Sequence, residues 1–244
     1  RIRVPSSAST AVTAQYTRST DGGRRFEDAR TVNRPPDFDR TELLGEGLSA
    51  TFSFGTMGLA PDGTVVTMWQ DIGDMQSTAD GADAHVAIST DDGRTFTPER
   101  PAIAGNAVCP CCQLTMAFGE QDMYLGYRRL YPDGRDSTVA RSGDHGQTFT
   151  GEGRLPFRPW KIDGCPLKPT ALGVDGKLVY AASYTAGEEP AGVYFSRSTD
   201  GGKTFAGRQP VHPGAPYSDA PELTVGPDGT LRLVWQAKTD GPRR

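Results

Sequence analysis

The sequence predicts an all-β protein, a β-propeller of four-stranded antiparallel blades forming a single domain over residues 1–244. Three observations predict it. An octamer of the pattern Ser-x-Asp-x-Gly-x-x-Phe recurs four times. A second turn marker recurs between the octamers at nearly the same period. No long segment keeps apolar positions at i, i+3, i+4 and i+7 without a Gly or Pro interrupting it, so helices are not expected.

The octamers are Ser19–Phe26, Ser89–Phe96, Ser142–Phe149 and Ser198–Phe205. Their aspartates, Asp21, Asp91, Asp144 and Asp200, follow one another at intervals of 70, 53 and 56 positions. Each octamer reads as a hairpin turn. The Asp carboxylate accepts backbone N–H groups that the turn cannot pair in a ladder. Gly supplies positive φ, and the closing Phe26, Phe96, Phe149 or Phe205 is expected to bury beneath the turn. One such octamer would say little; four in register, each after an alternating apolar strand, define a repeat.

The second marker is Asp62-Gly63, Glu120-Gln121, Asp175-Gly176 and Asp228-Gly229, spaced by 58, 55 and 53 positions. Alternating runs such as Thr64–Trp69 and Leu178–Ala182 follow these turns. One unit therefore reads as strand A, turn, strand B, loop, strand C, octamer, strand D, which is a propeller blade. The first blade begins near its strand C and the last stops after strand B, so both are incomplete. Two half-blades would combine to close a ring of four.

Composition narrows function. Lys and Arg number 26 against 30 Asp and Glu, a net charge of −4 with the signs interleaved. Nucleic-acid binders carry basic patches, so none is expected as a partner. No run approaches the roughly 18 apolar residues of a membrane span. The chain starts at Arg1 rather than Met, as it would after loss of a leader or in a fragment.

The cysteines are the most unusual feature. Cys109-Pro110-Cys111-Cys112 precedes a strand A (Leu114–Phe118), and Cys165 precedes the next, 56 positions after Cys109. Equivalent positions in adjacent blades share one rim of the central channel, so the four cysteines are expected to meet. Strand A is innermost, so this rim, made by the D-to-A and B-to-C connections, is where chemistry would sit, with the octamers on the opposite face. Three readings stay open. Disulfides would suit an exported protein, a Cys109–Cys165 bridge leaving Cys111 and Cys112 as a vicinal pair or as thiols. Thiolates would suit Cu(I) or Zn²⁺, with His212 or a methionine as further ligands. Thiol redox chemistry would need a cysteine of lowered pKa.

The octamers resemble the Asp boxes of sialidases and of bacterial BNR-repeat proteins, and the resemblance runs along nearly the whole chain. It implies six blades, of which this chain would hold a part. Cys-Pro-Cys-Cys in one blade and Gly-Cys-Pro in the next resemble exported bacterial proteins labelled sialidase-like, which implies a secreted or periplasmic location. Sialidases hold the substrate carboxylate with three arginines and use a Tyr nucleophile polarised by Glu, with an Asp acid/base. Arg1-Ile2-Arg3-Val4-Pro5 looks like the first arginine motif, but the octamer at Ser19 leaves no room for the hairpin that should intervene.

Other candidates fall in expected B–C loops: Arg128, Arg129, Arg135 and Asp136 in one, Glu188 and Glu189 in another, Asp71 and Asp74 in an earlier one. Solvated loop charge is the plain alternative for all of them. Tyr194 reads as strand C filling. Trp160, in a D-to-A loop, would stack on a sugar ring or cover the cysteines. His145 sits inside an octamer, and His85, in a strand C, has no evident partner. Three function classes follow: a glycan-binding or glycan-active protein, a metal-binding or thiol-redox protein centred on the cysteines, and a scaffold that binds other proteins.

Overall fold

The structure is a computed structural model and describes residues 10–33, 48–50, 53–72, 81–213 and 218–237. Arg1-Ile2-Arg3-Val4-Pro5 and Asp74 lie outside these residues. The described chain is all-β. Its strands are β1 (Thr10–Val12), β2 (Gln15–Tyr16), β3 (Arg30–Thr31), β4 (Leu48–Ala50), β5 (Ser53–Leu59), β6 (Val65–Asp71), β7 (Ala82–Ser89), β8 (Arg100–Val108) and β9 (Thr115–Phe118). They continue as β10 (Met123–Tyr131), β11 (Gly134–Ser142), β12 (Glu152–Arg154), β13 (Thr170–Asp175), β14 (Leu178–Thr185), β15 (Gly192–Ser198), β16 (Ala206–Pro213), β17 (Asp219–Val225) and β18 (Leu231–Gln236). No helix occurs among the described residues, so none there is long and apolar enough to cross a membrane.

Three four-stranded antiparallel meanders follow one another: β5–β8, β9–β12 and β13–β16. The first two join through one pairing, Arg129 with Val108. The hairpins β2–β3 and β17–β18 stand at the two ends, and β1 pairs with β4 in parallel. The order of four antiparallel strands inferred from the repeat, with an octamer between the third and the fourth, is the order observed in these meanders.

The meanders pack face to face, and the period of two decides which side chain goes where. Along β10, Met123, Leu125 and Tyr127 join the core shared with β6, β7 and β8, while Tyr124 joins Leu172, Val179 and Phe205 on the other side. A third cluster seats Ala171, Ala182 and Val193 against Leu223 and Leu233. The first strands of the units, β5, β9, β13 and β17, pack successively against one another. Their approach is close enough to require glycine: a Cβ on Gly58 would collide with the Phe118 ring, and one on Gly173 with Leu223.

The octamers form the expected turns. In Ser198–Phe205, Ser198 Oγ donates to Asp200 Oδ1 (2.7 Å) and accepts from the Gly202 N–H (2.8 Å), while Asp200 accepts from the Thr204 N–H (3.0 Å) and hydroxyl (2.6 Å). The octamers at Ser89 and Ser142 repeat this set. The residue after each Asp has positive φ, whether Gly22, Asp92, His145 or Gly201, and Asp and His are among the side chains that tolerate it.

Two expectations need correction. Phe205 is buried and Phe96 and Phe149 partly so, but Phe26 is 65% exposed: its turn joins strands of two residues each, too short to cover a ring. Arg128, Arg129, Arg135 and Asp136 do not lie in a loop. β10 and β11 run nine residues each and pair up to Tyr131 with Gly134, leaving Pro132-Asp133 as a tight turn and placing all four on strands.

Candidate functional site

The cysteines meet at the end of the sheets away from the octamers. In the third unit, β13 begins with Thr170 paired to Ser183, whereas the octamer starts at Ser198, paired to Val179 at the other end of β14. Cys109–Cys112 leaves β8 as a β-turn, with the Cys112 N–H donating to the Cys109 carbonyl (3.3 Å). Buried Gln70 clamps that turn, its amide donating to the carbonyls of Cys109 (3.0 Å) and Cys112 (2.7 Å). The Cys109 N–H donates to the Arg128 carbonyl (2.8 Å).

Cys165 reaches this turn from the next unit. It forms a disulfide with Cys111, Cα to Cα 5.9 Å, tying neighbouring sheets together. The bridge therefore uses Cys111 and not the Cys109 considered from spacing. Cys109 and Cys112 are thiols and fully buried, while both bridged cysteines are partly exposed. The thiols stand beside the bridge: Cys109 Sγ is 3.7 Å from Cys111 Sγ, and Cys112 donates its proton to Cys109 Sγ across 3.6 Å.

The two thiols are driven apart electrostatically. The Cys109 pKa falls to about 6, first through the Cys112 hydrogen bond and then through the Cys111 N–H and the Arg135 guanidinium, against the opposing pull of burial. Arg135 Nη1 donates to Cys109 Sγ at 3.6 Å. Cys112 is pushed far above the ordinary thiol range, because its proton is held by Cys109 and the site is dry. A thiolate against a neutral donor thiol, with arginine alongside, is the environment that makes a cysteine nucleophilic.

Arg128 lies behind the cluster with only 1% of its surface exposed. It donates to the carbonyls of Arg135 (2.8 Å), Tyr184 (3.0 Å) and Lys168 (3.4 Å) and to Ser183 Oγ (3.3 Å). Trp160 covers its guanidinium at 5.2 Å and meets Tyr184 edge-on at 5.6 Å. Trp160 therefore caps a buried cation rather than offering a free ring face. Beside it, a cleft of about 710 Å³ opens between the β10–β11 turn and Lys161–Asp163, with Tyr131 and Arg135 in its wall.

The remaining candidates disperse. Arg129 pairs with Glu152 (2.7 Å), which also accepts from the Tyr127 hydroxyl (2.5 Å). This is a Tyr–Glu pair, but Tyr127 is wholly buried and its pKa is raised by that burial. Asp136 pairs with Arg154 (2.5 Å) and accepts from the Trp160 N–H (3.0 Å). Glu188 accepts from the Arg158 N–H and from Arg208, and Glu189 precedes a cis proline. The Tyr194 hydroxyl donates to the Pro190 carbonyl. His212 accepts from the Trp235 indole (3.2 Å), and His145 pairs with Asp62 (2.8 Å). His85 has partners the sequence did not reveal, Asp71 and Glu99, each at 3.7 Å. Sequence reasoning also missed Gln70, for which a lone Gln ending an apolar run was the only signal.

No protein-family model matches the chain, and no curated protein matches it in sequence. Solved structures do. A Trypanosoma rangeli sialidase, in complex with 2,3-difluorosialic acid, superposes at a TM-score of 0.53 and 15% identity over 78% of this chain and 35% of its own. A leech intramolecular trans-sialidase superposes at 0.56 and 10% identity, over 93% of this chain and 51% of its own. The fold is that of the sialidases. The intramolecular trans-sialidase of Ruminococcus gnavus fits equally well, at 0.56 and 11% identity, over 93% of this chain and 71% of its own. The chain thus spans about a third to a half of the first two sialidases. It shares their fold, while Arg128 is spent on backbone carbonyls and Ser183, Arg129 on Glu152 and Arg135 on Cys109.

Proposed function

We propose that this chain is part of an exported Asp-box β-propeller, six-bladed and sialidase-like, whose inner rim carries a thiol–disulfide redox centre. The observation that supports it most is the row of sulfurs: two buried thiols, one of them readily ionised, against an inter-sheet disulfide whose cysteines reach the surface. A purely structural bridge needs no arginine-flanked thiolate beside it. Structural disulfides of secreted proteins have potentials below about −300 mV. Equilibration in glutathione buffers, with the Cys111–Cys165 linkage read by mass spectrometry, should give a reversible two-electron transition above that value. A bridge that opens only after denaturation would refute the reading. Once the bridge is reduced, Cys109, Cys111 and Cys165, whose sulfurs lie within 4.8 Å of one another, would suit Cu(I) or Zn²⁺. Metal analysis of reduced protein tests that.

A second reading is glycan binding. The cleft is broad and of mixed charge, with exposed Lys161 beside Asp133 and Asp163 in its wall, and the fold is one that other proteins use on sialic acids. Calorimetry with anionic oligosaccharides, comparing the unaltered chain with Lys161→Glu, would show saturable binding that the charge reversal weakens at least tenfold.

A further inference from the structure

We infer that the four cysteines form an internal relay, which moves the disulfide between the surface bridge Cys111–Cys165 and a buried Cys109–Cys112 pair. This deepens the redox reading of the same site and rests on it. The geometry is that of two alternative pairings of one chain of sulfurs. Cys109 and Cys112 hold the Cys-x-x-Cys spacing of dithiol redox motifs, and they are the first and last residues of a hydrogen-bonded β-turn. Such a turn keeps its end Cα atoms within about 7 Å, which overlaps the roughly 4.4–6.8 Å that a disulfide needs. Their sulfurs already lie 3.6 Å apart.

The steps balance without an external oxidant. The Cys109 thiolate attacks Cys111 Sγ, 3.7 Å away. The Cys109–Cys111 bond forms, the Cys111–Cys165 bond breaks, and Cys165 leaves with the electron pair and takes a proton from solvent. Cys112 then attacks Cys109 Sγ. The Cys109–Cys112 bond forms, and Cys111 leaves as a thiolate that accepts the proton Cys112 gives up. Cys109 and Cys112 are oxidised; Cys111 and Cys165 are reduced. In-line attack would put Cys109 about 5.7 Å from Cys165, whereas these sulfurs lie within 4.8 Å. Cys109 therefore stands to the side of the S–S axis, and a swing of its side chain starts the first step. Gln70 holds the turn by its backbone carbonyls and leaves the sulfurs free to re-pair.

The relay explains why the thiolate is inside and the bridge outside. A partner in solvent meets only Cys111 and Cys165, and the internal pair stores or returns the two electrons.

The test is native alkylation of the oxidised protein with iodoacetamide in thiol-free buffer, followed by acid quenching and peptide mapping. Trapping the emerging thiols should give two labels per chain, on Cys111 and Cys165, with Cys109 joined to Cys112. Labels on Cys109 and Cys112 with the bridge intact would overturn the relay, as would no labelling at all. Cys112→Ser should stop the relay halfway, giving Cys109 joined to Cys111 and one label on Cys165; an intact Cys111–Cys165 bridge there counts against it. Cys109→Ser should leave Cys165 unlabelled. The arm without substitutions needs no variant to fold. Glutathione exchange that proceeds while this mapping finds no Cys109–Cys112 link would sink the relay alone. A bridge inert to glutathione would sink the redox reading itself.

Discussion

Cys112 donates its thiol proton to Cys109 across 3.6 Å, at the two ends of a turn whose carbonyls are held by one side chain, Gln70. The donor and the acceptor therefore titrate in opposite directions. With the bridge intact, a single thiolate should form per chain, with a midpoint near pH 6, read by ultraviolet thiolate absorbance. Cys112→Ala removes the largest stabiliser of that thiolate and should move the midpoint upward. Two thiolates below pH 9 would contradict the geometry. The sign for stability is mixed. The depressed Cys109 pKa stabilises the fold above the unfolded thiol value of about 8.5, and that contribution is lost as pH falls through about 6. The raised Cys112 pKa acts the other way, so absorbance is the cleaner probe.

The Cys111–Cys165 bridge closes a sequence separation of 54 between two sheets. Chain-entropy reasoning gives a loop of that size about 4 kcal/mol of stabilisation. Cys165→Ser should therefore lower the urea midpoint, with m rising as the freed unfolded chain exposes more surface. A loss below about 1 kcal/mol would mean that packing between the β9 and β13 sheets already holds the units together.

The octamer turns depend on a serine as much as on the aspartate that marks them. Ser198 is buried, and its hydroxyl is the acceptor for the Gly202 N–H, itself under the Tyr124 ring. Ser198→Ala strands that donor and should cost on the order of 1–3 kcal/mol, leaving the disulfide pairing unchanged because the turn lies at the far end of the sheet. Acid should act on the same turns. Thr95 and Thr204 hold the Asp91 and Asp200 carboxyls well below their usual range. Their contribution is present above the unfolded value near pH 4 and fades as pH falls below it. A thermal midpoint that stays flat from pH 5 to pH 2 would contradict this.

The repeat made the architecture legible, because a turn marker and an octamer punctuate each of the three meanders, with Glu120-Gln121 in place of Asp-Gly in the second, and their spacing carries the strand order. Cysteine spacing likewise placed Cys165 beside Cys109–Cys112. What spacing could not choose was the partner: residues two apart in a turn point in different directions, and only the turn's hydrogen bonds aim Cys111, rather than Cys109, at Cys165. The arginines were misplaced for a related reason. Charges in Tyr127–Asp136 look like a loop, yet they continue a nine-residue pairing in which Arg128 is buried by neighbours from the next unit, Ser183 and Tyr184. Phe26 shows the reverse error, a repeat position without a full sheet beneath it.

The last prediction concerns sialic acid. Carboxylate recognition needs guanidinium groups that converge on open space. Arg128 is buried and spends its donors on Arg135, Tyr184 and Lys168 carbonyls and on Ser183; Arg129 is tied to Glu152; Arg135 faces Cys109. The nearest Tyr–Glu pair, Tyr127 with Glu152, has its hydroxyl sealed in the sheet core and its pKa raised, the wrong direction for a nucleophile. This chain should therefore release no sialic acid from a fluorogenic sialoside. Arg128→Met should instead act on stability: it takes the guanidinium donor from the buried Arg135 carbonyl and leaves the Tyr184 carbonyl only its longer Ser183 hydroxyl contact, and should cost about 1–3 kcal/mol by urea unfolding. Turnover that is abolished singly by Arg128→Met, Arg129→Met and Arg135→Met, with each variant still folded, would show that these arginines form a substrate clamp.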